Sequence, residues 1–155
     1  MITLKDAIGR TVLGRDTAEQ LGELRHVVVD PSGAKVVALV VRSGRNDKLV
    51  AWDDVTGFGP DAILVGATSA VRDPGSDAEK ADAGGRRDPL GKRLLNDQGT
   101  SAGLVVDVHF DESTGVVDSF VGEHAIASAD RLRGIGSYAV VVRASDDARA
   151  ATVGV

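Results

Sequence analysis

An internal repeat limits what this chain can fold into more than any other feature. Gly57-Phe58-Gly59-Pro60-Asp61-Ala62-Ile63-Leu64-Val65 returns as Gly134-Ile135-Gly136-Ser137-Tyr138-Ala139-Val140-Val141-Val142, with both glycines, the alanine and an apolar triplet in register. Upstream, residues 21–30 return as residues 102–111, and a further glycine with an apolar run follows in each copy. Two units of roughly 65 residues are implied, and units of that size bury only about 60% of their unfolded surface. The halves are therefore expected to pack on each other, or on a second copy of the chain. Hydrophobic residues make up 43% of the sequence and aromatic ones only 3%. Cores built from Val, Leu, Ile and Ala favour strands.

Each copy reads as short strands divided by turn residues. In Asp30-Pro31-Ser32-Gly33 the aspartate can bond the backbone two residues on, proline presets φ, and glycine accepts φ > 0. Asp53-Asp54-Val55-Thr56 predicts a single helical or 3₁₀ turn. Residues 71–88 are polar, charged and broken by Pro and Gly, so they read as a flexible linker that buries nothing. The spacing between copies is 82 at Gly9 and Gly91, 81 at Gly22 and Gly103, and 77 at Gly57 and Gly134, so the insertions fall in loops. The expected organisation is a first unit at residues 1–70, a linker at 71–88, a second unit at 89–144 and a frayed tail at 145–155. The expected fold is all-β, two small closed or nearly closed barrels in tandem, since closure removes exposed strand edges.

Net charge is −5, without the basic face that direct contact with nucleic acid would require. There is no cysteine, so neither a disulfide framework nor a thiolate metal site can form. No charged leader and apolar run opens the sequence, and no apolar run approaches the ~20 residues of a spanning helix. A soluble cytoplasmic protein is the expectation.

The order Ile8-Gly9-Arg10-Thr11-Val12, Leu21-Gly22-Glu23-Leu24, a strand ending at Asp30, then Gly33 and an apolar strand resembles the PRC-barrel domain. Trp52-Asp53-Asp54-Val55, Gly57 and Asp61-Ala62-Ile63-Leu64-Val65 are similar to the end of that domain. The second copy resembles it from Leu90-Gly91 to Val142 but has no Trp, and Ala129-Asp130-Arg131-Leu132 departs from the family pattern. The family includes the cytoplasmic domain of the photosynthetic reaction-centre H subunit and the C-terminal domain of a small-subunit rRNA maturation factor. What the resemblance implies is a barrel that binds other proteins and performs no chemistry. The expected role is thus a non-enzymatic interaction or scaffold module with a protein partner, a second copy of the chain included, and no cofactor. The alternatives are a role in small-subunit ribosome assembly, a ligand- or ion-sensing barrel pair, and attachment to a photosynthetic or other membrane complex.

Individual residues carry weaker signals. His26 lies in a strand where the other copy has Asp107, so a shared metal or catalytic role would not survive the duplication. His109 and Asp107 are two apart on one strand face, where they can hold an ion weakly or stand as a solvated pair. Asp53 and Asp54 are adjacent, and Arg131 replaces Asp54 in the second copy, which argues against paired carboxylate chemistry. The glycine pairs at 57/59 and 134/136 lead into strands and lack the third glycine of a dinucleotide loop. Trp52, the only tryptophan, suits either the core at a barrel end or a contact surface. The interaction candidates are therefore Trp52, Asp107, His109 and Arg131.

Overall fold

The computed structural model describes residues 1–144; the tail expected at 145–155 lies outside the described residues. In chain order the elements are β1 (Ile2–Thr3), α1 (Leu4–Ala7), β2 (Thr11–Gly14), β3 (Gln20–Asp30), β4 (Lys35–Ser43), β5 (Asn46–Ala51), β6 (Val55–Phe58) and β7 (Ile63–Val65). They continue with α2 (Asp77–Ala83), β8 (Arg93–Asn96), β9 (Ser101–Phe110), β10 (Val117–Gly122), β11 (Ile126–Ser128), β12 (Leu132–Ile135) and β13 (Ala139–Val142). Short 3₁₀ turns at Trp52–Asp54 and Ala129–Arg131 stand before β6 and β12. The expected all-β fold is present, and the repeat is visible strand by strand. One sheet runs β5-β4-β3-β2-β7-β6 and the other β11-β10-β9-β8-β13-β12. Neighbours are antiparallel except β2 with β7 and β8 with β13, which are parallel in both copies.

Turn chemistry repeats as well. Asp30 Oδ1 accepts from the Ser32 N–H at 3.0 Å and Asp111 Oδ1 from the Ser113 N–H at 2.8 Å. The residue with positive φ in the first of these hairpins is Ala34 (φ 47°), not Gly33; its counterpart Gly115 has φ 79°. The spacing falls from 81 to 77 because the β4–β5 hairpin, which turns at Ser43 and Asn46, is cut back in β10–β11 to a tight turn. That turn is closed by Gly122 N–H donating to Ala125 O at 2.8 Å. Gly57 and Gly134 sit at matching register shifts in β6 and β12 rather than ending a helical turn.

Each sheet curls into a half-barrel. Among the described residues no pairing joins β5 to β6 or β11 to β12, because the 3₁₀ turns hold those strands apart. The open side is filled by the other unit, and one apolar cluster runs through both. Val36 N–H donates to Gly115 O and Val117 N–H to Ala34 O, each at 2.8 Å, around a bridge between Lys35 and Val116. Lys35 faces its own repeat equivalent, Val116, 81 positions away, and the two flanking bonds map onto each other under the repeat, so a pseudo-two-fold axis passes between Lys35 and Val116.

Leading segments are exchanged across this junction. β1 pairs with β9 of the second sheet through Ile2–Phe110 and Thr3–His109, and α1 buries Leu4 and Ala7 in the common core. In the other direction, residues before the second unit lie along β3, with Val29 N–H donating to Arg87 O at 3.1 Å.

Residues 71–88, read as burying nothing, are built into the first unit. Arg72 bridges the outer edge of β5, exchanging backbone bonds of 2.8 and 2.9 Å with Leu49. α2 then covers the outward face of β3, β4 and β5, where Val28, Val40, Leu49 and Ala83 form a second small cluster. Pro74 and Gly75 turn the chain into this helix instead of freeing it. Ser76 caps it, accepting from Glu79 N–H at 3.1 Å. Among the described residues no helix is long and apolar enough to cross a membrane.

Candidate functional site

Trp52 stands where the two units meet. Its residue is 8% exposed, and its ring lies 5.8 Å from Phe58 of its own unit and 6.5 Å from Phe110 of the other. Phe58 and Phe110 stack edge to face at 5.7 Å, and the Arg10 guanidinium lies over Phe58 at 5.6 Å. Gly115 backs this cluster: a Cβ there would meet Trp52 Cε2 and Val36 O, both at 3.0 Å. In the other copy the pair is Ala129 and Ala34, so a large side chain faces glycine on one side of the pseudo-axis and two alanines occupy the other. A cavity of about 330 Å³ opens beside the rings, lined by Trp52, Val55, Thr56, Gly57, Phe58, Glu112 and Ser113.

Residues 1–72 match the family model of the PRC-barrel domain. The match does not extend over the second unit, which repeats the first unit's strand order without its tryptophan. No curated protein matches the chain.

The other three candidates do not gather around Trp52. Asp107 Oδ1 accepts from the Lys5 N–H at 3.0 Å and from the Val108 N–H at 2.8 Å. It thereby satisfies a free donor in the first turn of α1 and pins the PRC unit's leading segment to β9. Asp107 and His109 share a face of β9 but do not form a three-ligand group. Arg131 grips the exit from β13: its Nε donates to Arg143 O at 2.8 Å, and Arg143 N–H returns a bond to Arg131 O at 2.7 Å. The same backbone bond links Gly66 N–H to Asp54 O in the PRC unit, so the Asp-to-Arg exchange leaves the turn intact.

A cluster not expected from sequence surrounds α2. His26 Nδ1 lies 2.7 Å from Asp88 Oδ2, and Asp88, only 5% exposed, also accepts from the Leu90 N–H. Asp82 takes bonds from Arg86 and Arg87 at 2.9–3.1 Å. Burial pushes the Asp82 carboxyl up, and the two guanidinium groups more than reverse this, so it titrates below its ordinary value. Lys92 Nζ donates to Gly85 O at 2.7 Å and to Arg86 O, and burial lowers its ammonium. Arg86, Arg87 and Lys92 are thus clasps on the connecting segment. The sequence did hold a sign of this: Ser76-x-x-Glu79 ahead of alanines is a helix-start signature.

Arg72 and Glu79 lock this segment through a two-pronged pair, one prong at 3.1 Å. The Arg72 hydrogen bonds, with the Gly75 N–H at 2.9 Å, hold the Glu79 carboxyl at about 2 against an ordinary 4.5. A carboxyl lowered by folding stabilises the fold above its ordinary value and loses that contribution as pH falls toward the lowered one. The protection of α2 amides, taken against intrinsic exchange at each pH, is therefore expected to fall as pH drops from about 5 to about 2, and Arg72→Met is expected to lower it already at about pH 5.

Proposed function

We propose that this chain is a non-enzymatic protein-interaction module in which two PRC-type half-barrels share one core and present a common surface. The observation carrying this reading is the outward side of the second sheet. Leu104 and Val106 of β9 are each 41% exposed and Ile126 of β11 is 47% exposed, while polar side chains such as Asp107, Arg131, Asp82 and Asp88 are engaged in internal bonds. Neighbouring exposed apolar side chains on a rigid sheet mark a contact surface. The test is affinity purification of the tagged chain from its native cell, beside a Leu104→Asp, Val106→Asp variant of unchanged melting temperature. A partner recovered by the parent and lost by the variant is the expected outcome. Turnover of a substrate that disappears on replacing a single residue such as Asp107 would overturn the reading.

A further inference from the structure

The two repeats differ in what covers the outer edge of their sheets, and the difference identifies a docking site. In the first unit the outward face carries Val40 and Leu49, paired in register across β4 and β5. Arg72 closes the β5 edge through both backbone groups of Leu49, and α2 covers the face. The second unit has Val121 and Ile126 in register at the corresponding places on β10 and β11. Among the described residues no strand or bridge closes the outer edge of β11, and Ile126 lies open. Next to it the register shift between Val121 and Gly122 leaves Val106 opposite no partner, projecting outward beside Leu104. The first unit has charged Glu23 and Arg25 at those two positions, so the second face is the more apolar as well as the uncovered one.

Charge decides the occupant. From residue 107 to residue 130 there is no Lys or Arg, and the exposed acidic residues Asp118, Glu123 and Asp130 stand on either side of β11 in the sequence. The segment that covers the first unit, residues 71–88, is close to neutral, with Asp73, Asp77, Glu79, Asp82 and Asp88 against Arg72, Lys80, Arg86 and Arg87, so charge does not draw its copy from a second chain to this edge. Residues 145–155 carry Asp146 and Asp147 against Arg149 and are no better matched.

We propose that β11 receives an extended, basic segment of a partner protein, which adds to the sheet edge as a strand and seats an apolar side chain on Ile126. The inference rests on the interaction reading above and names the chemistry of its partner. Strand addition draws affinity from main-chain bonds and selectivity from alternate side chains. β11 has only three residues, so Ile126 and the acidic side chains on either side of the strand must supply much of the binding.

The test titrates the full chain with a labelled synthetic peptide of alternating Arg and Val, beside a Glu–Val peptide of equal length. The Arg–Val peptide is expected to bind about tenfold or more tightly than the acidic one, and less tightly as salt rises. Its largest amide shifts are expected in residues 122–128. Ile126→Pro removes the N–H an added strand would use, and is expected to weaken binding about tenfold. Should that variant fail to fold, Asp118→Lys with Asp130→Lys, both at exposed positions, is expected to do the same. Equal binding of the two peptides, shifts centred elsewhere, or folded variants that bind like the parent would overturn the proposal. So would tighter binding by a chain ending at Ala144, which would make residues 145–155 the occupant. If the folded edge variants recover the native partner as well as the parent does, the edge is overturned and the interaction reading stands. Recovery of no partner by either chain overturns that reading itself.

Discussion

Trp52→Ala is expected to lower stability by about 3–5 kcal/mol, the usual cost of truncating a large buried aromatic. The loss has two parts. Apolar surface goes back to water, and the contacts with Phe58 and Phe110 vanish, leaving a void at the boundary between the units. Because Phe110 belongs to the second sheet, the damage should not stay in the first. Amide exchange is expected to rise in β9 and β1 together with β6, while chemical denaturation remains a single transition with a lower midpoint. Protection lost in the first sheet alone would show that the units do not depend on this contact.

Gly115→Val is expected to destabilise by about 3 kcal/mol or more, from two separable sources. The left-handed backbone at φ 79° costs any L side chain about 1–2 kcal/mol and a β-branched one more. The new atoms would also meet Trp52 and Val36 O at 3.0 Å, in a region with no slack. Combining it with Trp52→Ala separates the sources, since the double variant keeps the backbone strain and loses most of the crowding. The two costs should therefore sum to more than the measured double cost, the signature of residues in contact. Additive costs would mean that valine turns away from the indole.

Much of the fold could be read from the residues because the repeat did the reading. Asp30-Pro31-Ser32 announced its hairpin through a side chain that bonds two residues ahead, and the structure has that bond in both copies. The short turn expected at residues 53–56 is present but lies at Trp52–Asp54, with Val55 and Thr56 already in β6. What stayed hidden depends on residues far apart in sequence. Composition cannot say that Asp107 holds an amide of α1, or that Asp88 finds His26. Polar content misled at residues 71–88, where charge was taken for solvation although Asp82 and Asp88 are buried among basic partners and backbone donors. Trp52 was weighed as core or contact surface, and it is in the core at the boundary between units. The open edge of β11 shows only when one copy is laid against the other.

The pairing of β1 with β9 has a consequence for synthesis. Lys5 and Asp107, bonded in the finished protein, are separated by 102 positions, so the ribosome must deliver most of the polypeptide before the opening residues find their place. Until then Leu4 and Ala7 have no second sheet to bury them, and the nascent first half carries an unsheltered greasy end. Long-range closure of this kind slows the search and lengthens exposure to aggregation. β1 and α1 should thus settle only after β9 has been delivered.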